Sequence, residues 1–253
     1  MQRIDILLTE QGLAQSRTHA QRLVKGGKVS IRNGAKWQVV TKPGLKLDTD
    51  TEFQVEADAA DRFVSRGALK LLGALERTQL DVSGMIAIDV GQSTGGFSDC
   101  LVQSGVAKVV GIEVGHDQLA ERLRNDPKVL CFEGVNGRDL PAEMLLKHSH
   151  ADGFDLAVMD VSFISQTKIL PSLVPLIRPG GHLISLVKPQ FEVGKAGIGS
   201  GGIVRDSSLY PQVEQNIRHH CETLGLEVLD YFDSPIKGGD GNREFLIVAH
   251  KTL

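Results

Sequence analysis

The sequence predicts an α/β fold, a doubly wound and mainly parallel sheet, preceded by a small α+β module over residues 1–60. Two observations carry this. From Phe63 onward, short apolar runs alternate with amphipathic stretches, as in "MIAIDVG", "GGFSDCLVQSG", "AKVVGIEVG", "DQLAERLRN", "KVLCFEG" and "FDLAVMDVSF". Before that point the chain instead offers two short helical patterns and a hairpin, with no apolar run between them.

The module comes first. "IDILLTEQGL" places Ile4, Leu7 and Leu8 at helical spacing and stops at Gly12. "SRTHAQRLVKGG" offers Ser16 as N-cap, Ala20, Leu23 and Val24 as a buried stripe, and Gly26 and Gly27 as terminators. In "KVSIRNGAKWQVV", Asn33-Gly34 signals a hairpin. "EADAADR", Glu56 to Arg62, reads as a polar linker. The second domain, 61–253, continues through "ISQTKILPSLVPLI", "GGHLISLVKP" and "SLYPQVEQNIRHHCETLG" to "LEVLDYFDSPI" and "REFLIVAHK". No helix separates the closing pair, so it is expected to be antiparallel. In such sheets ligands bind beyond the carboxyl ends of the strands.

Composition narrows the function classes. At 253 residues, 41% hydrophobic and 23% charged, the chain is an ordinary globular one. No apolar run approaches the roughly 18 residues a transmembrane helix needs, and the amino terminus has no signal-peptide core, so a cytoplasmic protein with no membrane partner is expected. Cys100, Cys131 and Cys221 form no C-x-x-C pair, and the eight histidines show no ligand spacing, so no metal site is expected. The net charge of -3 is unevenly spread. Residues 1–46 hold nine Lys or Arg against Asp5 and Glu10, a net of +7, which leaves -10 for the rest. Either the module presents a polyanion to an acidic partner domain, or it has a solvated face. Arg22 and Lys25 project away from the buried stripe and offer one basic edge.

The stretch "DVGQSTGGF", Asp89 to Phe97, follows a predicted strand. A dinucleotide fingerprint would need glycine where Ser93 stands, and a P-loop would need a Gly-Lys-Ser/Thr that is absent. Gly91, Gly95 and Gly96 still allow close backbone approach at a strand-to-helix turn, and Glu113 ends the next strand, where a carboxylate can bind a ribose diol. A nucleoside without phosphate, S-adenosyl-L-methionine, suits that combination, although tight turns in α/β proteins also carry glycine. Asp89, Ser93, Thr94 and Phe97 complete the candidate cofactor loop, with Phe97 alternatively packing the next helix. Asn136 and Arg138, after the third strand, are adenine contacts or ordinary loop residues.

"RFVSRGALKL", "DVGQSTGGFSDCLVQSGVAKVVGIEVG", "RNDPKV", "MDVSFIS", "LVKPQFEVGKAGIG", "GGIVRD" and "SPIKGGDGNREF" occur in this order across nearly the whole chain. Together they resemble the TlyA family, FtsJ-like ribosomal RNA 2'-O-methyltransferases often labelled hemolysin A. "LAQSRTHAQRLVKGGKV" is similar to the alpha-L RNA-binding motif. The resemblance implies a Rossmann-like class I methyltransferase using S-adenosyl-L-methionine, with a catalytic Lys-Asp-Lys-Glu set at Lys70, Asp160, Lys188 and Glu244. Asp160 would also meet the cofactor. Ribosomal RNA in assembled subunits is the implied partner, and a cytidine the implied target. The short segment ahead of Arg3 points to the compact form of the family, acting on the large subunit. Arg3, Arg17, Arg22, Lys25, Lys28 and Arg66 are then candidate RNA contacts, and Phe191 is a base-stacking platform or a buried aromatic. Gln92 and Glu113 depart from the family pattern, which more often has a small residue and Asp there.

The residue types suit the chemistry. A ribose 2'-hydroxyl is a poor nucleophile, so it must be aligned, desolvated and relieved of its proton as it attacks. Lys188 ends the apolar strand "HLISLV" and is the candidate base, Asp160 a carboxylate to hold it, and Glu244 a partner for Lys70. The alternative is a pair of ordinary salt bridges. "DVSF" does not match the Asn/Asp-Pro-Pro-aromatic tetrad of base N-methylation, and no cysteine ends a strand as C5-methylation needs. A membrane-lytic hemolysin and a catalytically silent ribosome-binding factor are the other classes considered.

Overall fold

The computed structural model describes residues 1–252, without the side chains of Ala59 and Lys195. The chain divides into two compact units, Met1–Arg62 and Phe63–Leu253.

The first unit contains β1 (Gln2–Arg3), α1 (Ile4–Glu10), α2 (Arg17–Lys25), β2 (Val29–Asn33), β3 (Lys36–Val40), β4 (Lys46–Leu47) and β5 (Phe53–Val55). Ser16 caps α2 as expected, its hydroxyl accepting from the His19 amide at 3.2 Å. Antiparallel strands in the order β3-β2-β5 close over Ile4, Leu8, Ala20, Leu23 and Val24. The segment read as a polar linker is instead folded. It turns into a 3-10 helix at Ala59–Arg62, and Asp58 and Asp61 both pair with Arg22. Those acids change the charge reading too. Over residues 1–62 there are ten Lys or Arg against eight Asp or Glu, a net of only +2.

The second unit contains α3 (Ala68–Thr78), β6 (Ile86–Val90), α4 (Gly96–Gln103), β7 (Lys108–Glu113), α5 (Glu121–Arg124), β8 (Val129–Glu133), α6 (Ala142–Leu146), β9 (Phe154–Met159), α7 (Leu170–Leu173), β10 (Ile177–Val187), α8 (Leu209–Thr223), β11 (Leu226–Asp233) and β12 (Phe245–Lys251). They build a seven-stranded sheet in the order β11-β12-β10-β9-β6-β7-β8, parallel except that β12 runs antiparallel to both neighbours. Strands β6 and β9 are almost wholly buried because both faces of the sheet are covered, which is why their sequences are apolar apart from Asp89 and Asp155. Alternation still divides them. Ile88 and Val90 enter one core with Leu170 and Leu173, whereas Ala87 joins Leu71, Phe97 and Leu101 on the other face.

Two predicted helices are shorter than their patterns. "DQLAERLRN" yields only the single turn α5, since Asp117 is left-handed (φ +57) and Ala120 is extended (ψ 139), which keeps its first half out of the helix. "ISQTKILPSLVPLI" breaks into α7 flanked by 3-10 turns, because Pro171 and Pro175 supply no amide donors. Among the described residues, no helix is long and apolar enough to cross a membrane, and no cluster of His, Cys, Asp or Glu could hold a metal ion.

The chain order reverses between β6 and β9. From β6 it runs outward to β7 and β8, then returns to β9 on β6's other side. A crevice opens at the carboxyl ends of two such strands.

Candidate active site

Three adjoining clefts occupy that crevice. The first is lined by Ser65, Gly96, Phe97, Asp160, Ser162 and Lys188, together with Ser93 and Thr94. The second, about 570 Å³, runs past Glu113, Asn136, Arg138 and the apolar Ile112, Val135 and Ile169. The third holds Lys70, Glu244, Gln190, Phe163 and Phe191. Ser162 borders all three, and Lys188 the first and third, so these two stand at a common waist.

The loop after β6 owes its path to glycine, but not at every position for the expected reason. Gly91, at φ +85, passes so close to the Asp160 carbonyl that any Cβ would collide with it. That contact joins the ends of β6 and β9. At Gly95, φ +94, a Cβ would strike Leu119 and Leu123, so this glycine serves packing within the protein and does not open space for a ligand. A Cβ at Gly96 would approach Ser65 Oγ at 3.0 Å.

Asp89 is also placed differently from the expectation. It is 1% exposed and lies beneath the loop, where its Oδ2 accepts from Ser98 Oγ at 2.7 Å; Ser98 in turn accepts from Gln92 Nε2 at 2.7 Å. Burial pushes the Asp89 carboxyl up to about 7, opposed by the Ser98 hydrogen bond and helped by the charge of Asp160. It is an organiser of the loop and lines none of the three clefts. Gln92 fits because Gly111 leaves it room: a Cβ there would overlap its amide. Glu113 sits at the end of β7 with both oxygens engaged, Oε2 by the Ser93 amide and Oε1 by the Gly115 amide, each at 2.8 Å. These donors fix its carboxylate against the second cleft. Asn136 accepts from the Arg138 amide at 3.0 Å.

These features fit S-adenosyl-L-methionine. The second cleft has apolar walls suited to an adenine ring and a fixed carboxylate suited to a diol. Asp160 borders both it and the first cleft, where a carboxylate favours a sulfonium cation over a pyrophosphate.

The four predicted catalytic residues form two pairs. Lys188 Nζ lies 2.6 Å from Asp160 Oδ1, while its aligned hydrogen bond goes to Ser162 Oγ at 2.9 Å. Lys70, in the first turn of α3, donates to Glu244 Oε2 at 2.6 Å. Both side chains of this second pair are buried, and Gly238 lies close over the carboxylate, where a Cβ would come within 2.5 Å of Oε1.

Two cleft residues were not anticipated. Ser162 holds Lys188, and Phe163 stands 91% exposed at φ +64, its ring centroid 5.2 Å from that of half-buried Phe191. Their signal was present in "DVSF", since a phenylalanine beside a strand-end acid has no place in the apolar pattern.

The candidate RNA contacts are largely committed to acids. Arg3 and Arg17 converge on buried Asp5 at 2.9 and 3.4 Å, and the Arg3 guanidinium holds that carboxyl well below its usual range. Arg22 is held by Asp58 and Asp61, and Lys28 lies 3.2 Å from Glu56. Lys25 and Arg66 are exposed, without an ion-pair partner among the described residues; Arg66 adjoins the cleft residues Ser65 and Gly67.

Comparison with known proteins agrees with this architecture. Residues 63–251 match the FtsJ-like methyltransferase family and residues 2–53 the S4 domain. The 16S/23S rRNA (cytidine-2'-O)-methyltransferase TlyA of Mycobacterium tuberculosis is 40% identical over 245 residues, covering 97% of this chain and 88% of the relative. Hemolysin A of Brachyspira hyodysenteriae is 36% identical over 244 residues, 96% of this chain and 98% of that one. A solved structure from Streptococcus thermophilus, assigned as a candidate hemolysin, superposes with a TM-score of 0.73 at 40% identity, covering 99% of this chain and 88% of that chain. With a matching sheet, a matching amino-terminal domain and full-length relatives, this chain belongs to the FtsJ-like methyltransferases of the TlyA type.

Proposed function

We propose that this protein methylates the 2'-hydroxyl of a cytidine ribose in ribosomal RNA, using S-adenosyl-L-methionine, with Lys188 as the base at the reacting oxygen. The observation that carries the assignment of roles is the waist of the crevice, where Ser162 borders all three clefts, Asp160 the first and the cofactor-sized second, and Lys188 the first and the third, which carries the aromatic pair.

The bound cofactor supplies an electrophilic methyl group. The protein does the rest. Glu113 and the apolar walls of the second cleft would hold the nucleoside end, and Asp160, which borders the first and second clefts, would face the sulfonium end. The target nucleotide enters the third cleft, with Phe163 and Phe191 as stacking surfaces for its base. Lys188 Nζ accepts the hydroxyl proton as the oxygen attacks. Asp160 Oδ1, 2.6 Å away, then stabilises the ammonium that results, while Ser162 fixes its direction. Lys70 and Glu244 form the opposite wall and keep it dry and rigid.

In this reading large-subunit RNA is the preferred substrate, and the protein acts in the cytoplasm. The test is transfer of tritiated methyl from the cofactor to purified large and small subunits, followed by mass mapping of the modified RNA. Label on a ribose of the large-subunit RNA is expected. Label confined to bases would overturn the chemistry. Tight binding to subunits with no transfer would make the protein a silent ribosome-binding factor.

A further inference from the structure

We propose that the solvent side of the β3-β2-β5 sheet is a second RNA contact, on which Trp37 and Arg32 hold an unpaired base. The inference rests on RNA being the partner of the first unit, and it adds a surface that the basic helix edge does not include.

Strand alternation defines the face. Val40 points into the core at 7% exposure, so Trp37 and Val39 cannot both do so, and Trp37 takes the opposite side together with Val39. They are 44% and 57% exposed. The register sets Arg32 beside Trp37 and Ser30 beside Val39, with Gln54 on the far side of Ser30. The Arg32 guanidinium lies 5.8 Å from the Trp37 ring centroid. Gly27, at φ +68, borders Val39 without a side chain of its own, which keeps the rim low.

A solvent-facing sheet normally carries polar residues at these positions. Here one large ring, one branched aliphatic and one guanidinium make a flat platform. Its size decides between partners. A stable protein interface covers about 800 Å² on each side, whereas one aromatic ring with an adjacent cation matches a single nucleobase and its phosphate. The charge agrees. Arg32 meets one carboxylate among the described residues, the exposed Glu52 at 3.5 Å, and donates to the Gly34 carbonyl at 3.3 Å. Elsewhere in the first unit, by contrast, Arg3, Arg17 and Arg22 already face Asp5, Asp58 and Asp61.

Trp37 is the chain's single tryptophan, so its emission reports on this face alone. The full-length protein is titrated with protein-free ribosomal RNA and with a short single-stranded oligoadenylate, and binding is followed independently by filter retention. Quenching of Trp37, with loss of iodide access, should saturate together with retention. Trp37→Ala should weaken binding about 5- to 100-fold while leaving the salt slope unchanged, since no phosphate contact is lost. Trp37→Phe should bind nearly as wild type, and Arg32→Gln should make the slope shallower. Trp37 is exposed, so unchanged melting of each variant is the control for folding. Retained RNA with unaltered emission and iodide access, or Trp37→Ala binding like wild type, would overturn the inference. Quenching by a ribosomal protein fraction and not by RNA would reassign the face to a protein and overturn it equally. If neither RNA is retained, the RNA reading of the first unit falls and this inference with it, while methyl transfer to subunits still judges the catalytic unit separately.

Discussion

Lys188 and Lys70 each lie 2.6 Å from a carboxylate, yet their surroundings differ. The Lys70–Glu244 pair is sealed, its side chains 9% and 3% exposed, and it joins the start of α3 to the start of β12, 174 residues apart. The Lys188–Asp160 pair sits at the mouth of the crevice, with Asp160 22% exposed and a serine sharing the lysine. The same chemical pair is a sealed clamp in one place and, in the proposed reaction, an instrument in the other. Burial is what separates the roles: a sealed pair cannot lose one member cheaply, whereas a pair at a cleft mouth can be rehydrated.

The sealed pair gives the largest expected effect on stability. Lys70→Ala leaves the Glu244 carboxylate buried and unpaired and should cost about 3–5 kcal/mol, measured by denaturant unfolding. Lys70→Met combined with Glu244→Leu should recover most of that loss. If Lys70→Ala unfolds like wild type, the clamp is not sealed and the contrast between the pairs is broken.

Asp89 sharpens the same contrast with a carboxyl that has no lysine at all. The folded protein holds its proton up to about pH 7, while an unfolded aspartate releases it near 3.9. The folded state therefore binds the extra proton, so this group's contribution is full below about pH 4 and is lost as the pH rises toward 7. Asp89→Asn, which imitates the protonated acid, should remove that part of the decline, so that the variant melts higher than wild type at about pH 8.5 and no higher near pH 4. Parallel melting curves for the two proteins would dismiss the buried acid.

Ser162 marks the smallest effect. Ser162→Ala removes one aligned hydrogen bond from Lys188, worth about 1 kcal/mol, so single-turnover transfer should fall about 5-fold with cofactor affinity unchanged. An equal loss in cofactor affinity would place Ser162 with the cofactor and not with the lysine.

Much of this was legible in the sequence, for identifiable reasons. Lys188 and Asp160 follow the mostly apolar runs "HLISLV" and "FDLAVM", so strand ends in a parallel sheet located them. Their pairing follows from β9 and β10 being neighbours. Lys70 and Glu244 sit in no such pattern, and only the resemblance of their motifs singled them out. What stayed hidden depended on contacts far apart in the chain. Asp58 and Asp61 neutralise Arg22 from 36 and 39 residues away, turning a polar linker into part of the first unit. Gly95 could not be separated from Gly91 by sequence, because its neighbours Leu119 and Leu123 arrive from α5 and the segment just before it. Asp89 looked like a cofactor ligand because strand-end acids usually face the crevice, but alternation along β6 turns it to the Ala87 face, toward Ser98.

The claim that the mouth pair performs the chemistry meets its most direct test in Lys188→Ala, measured by single-turnover methyl transfer to ribosomal subunits alongside calorimetric binding of S-adenosyl-L-methionine. Removal of a positioned base predicts a fall of about 10² to 10⁴ in rate, with cofactor affinity and melting near wild type. A rate within about threefold of wild type would contradict the account and leave alignment of the hydroxyl, without proton transfer to Lys188, as the source of catalysis.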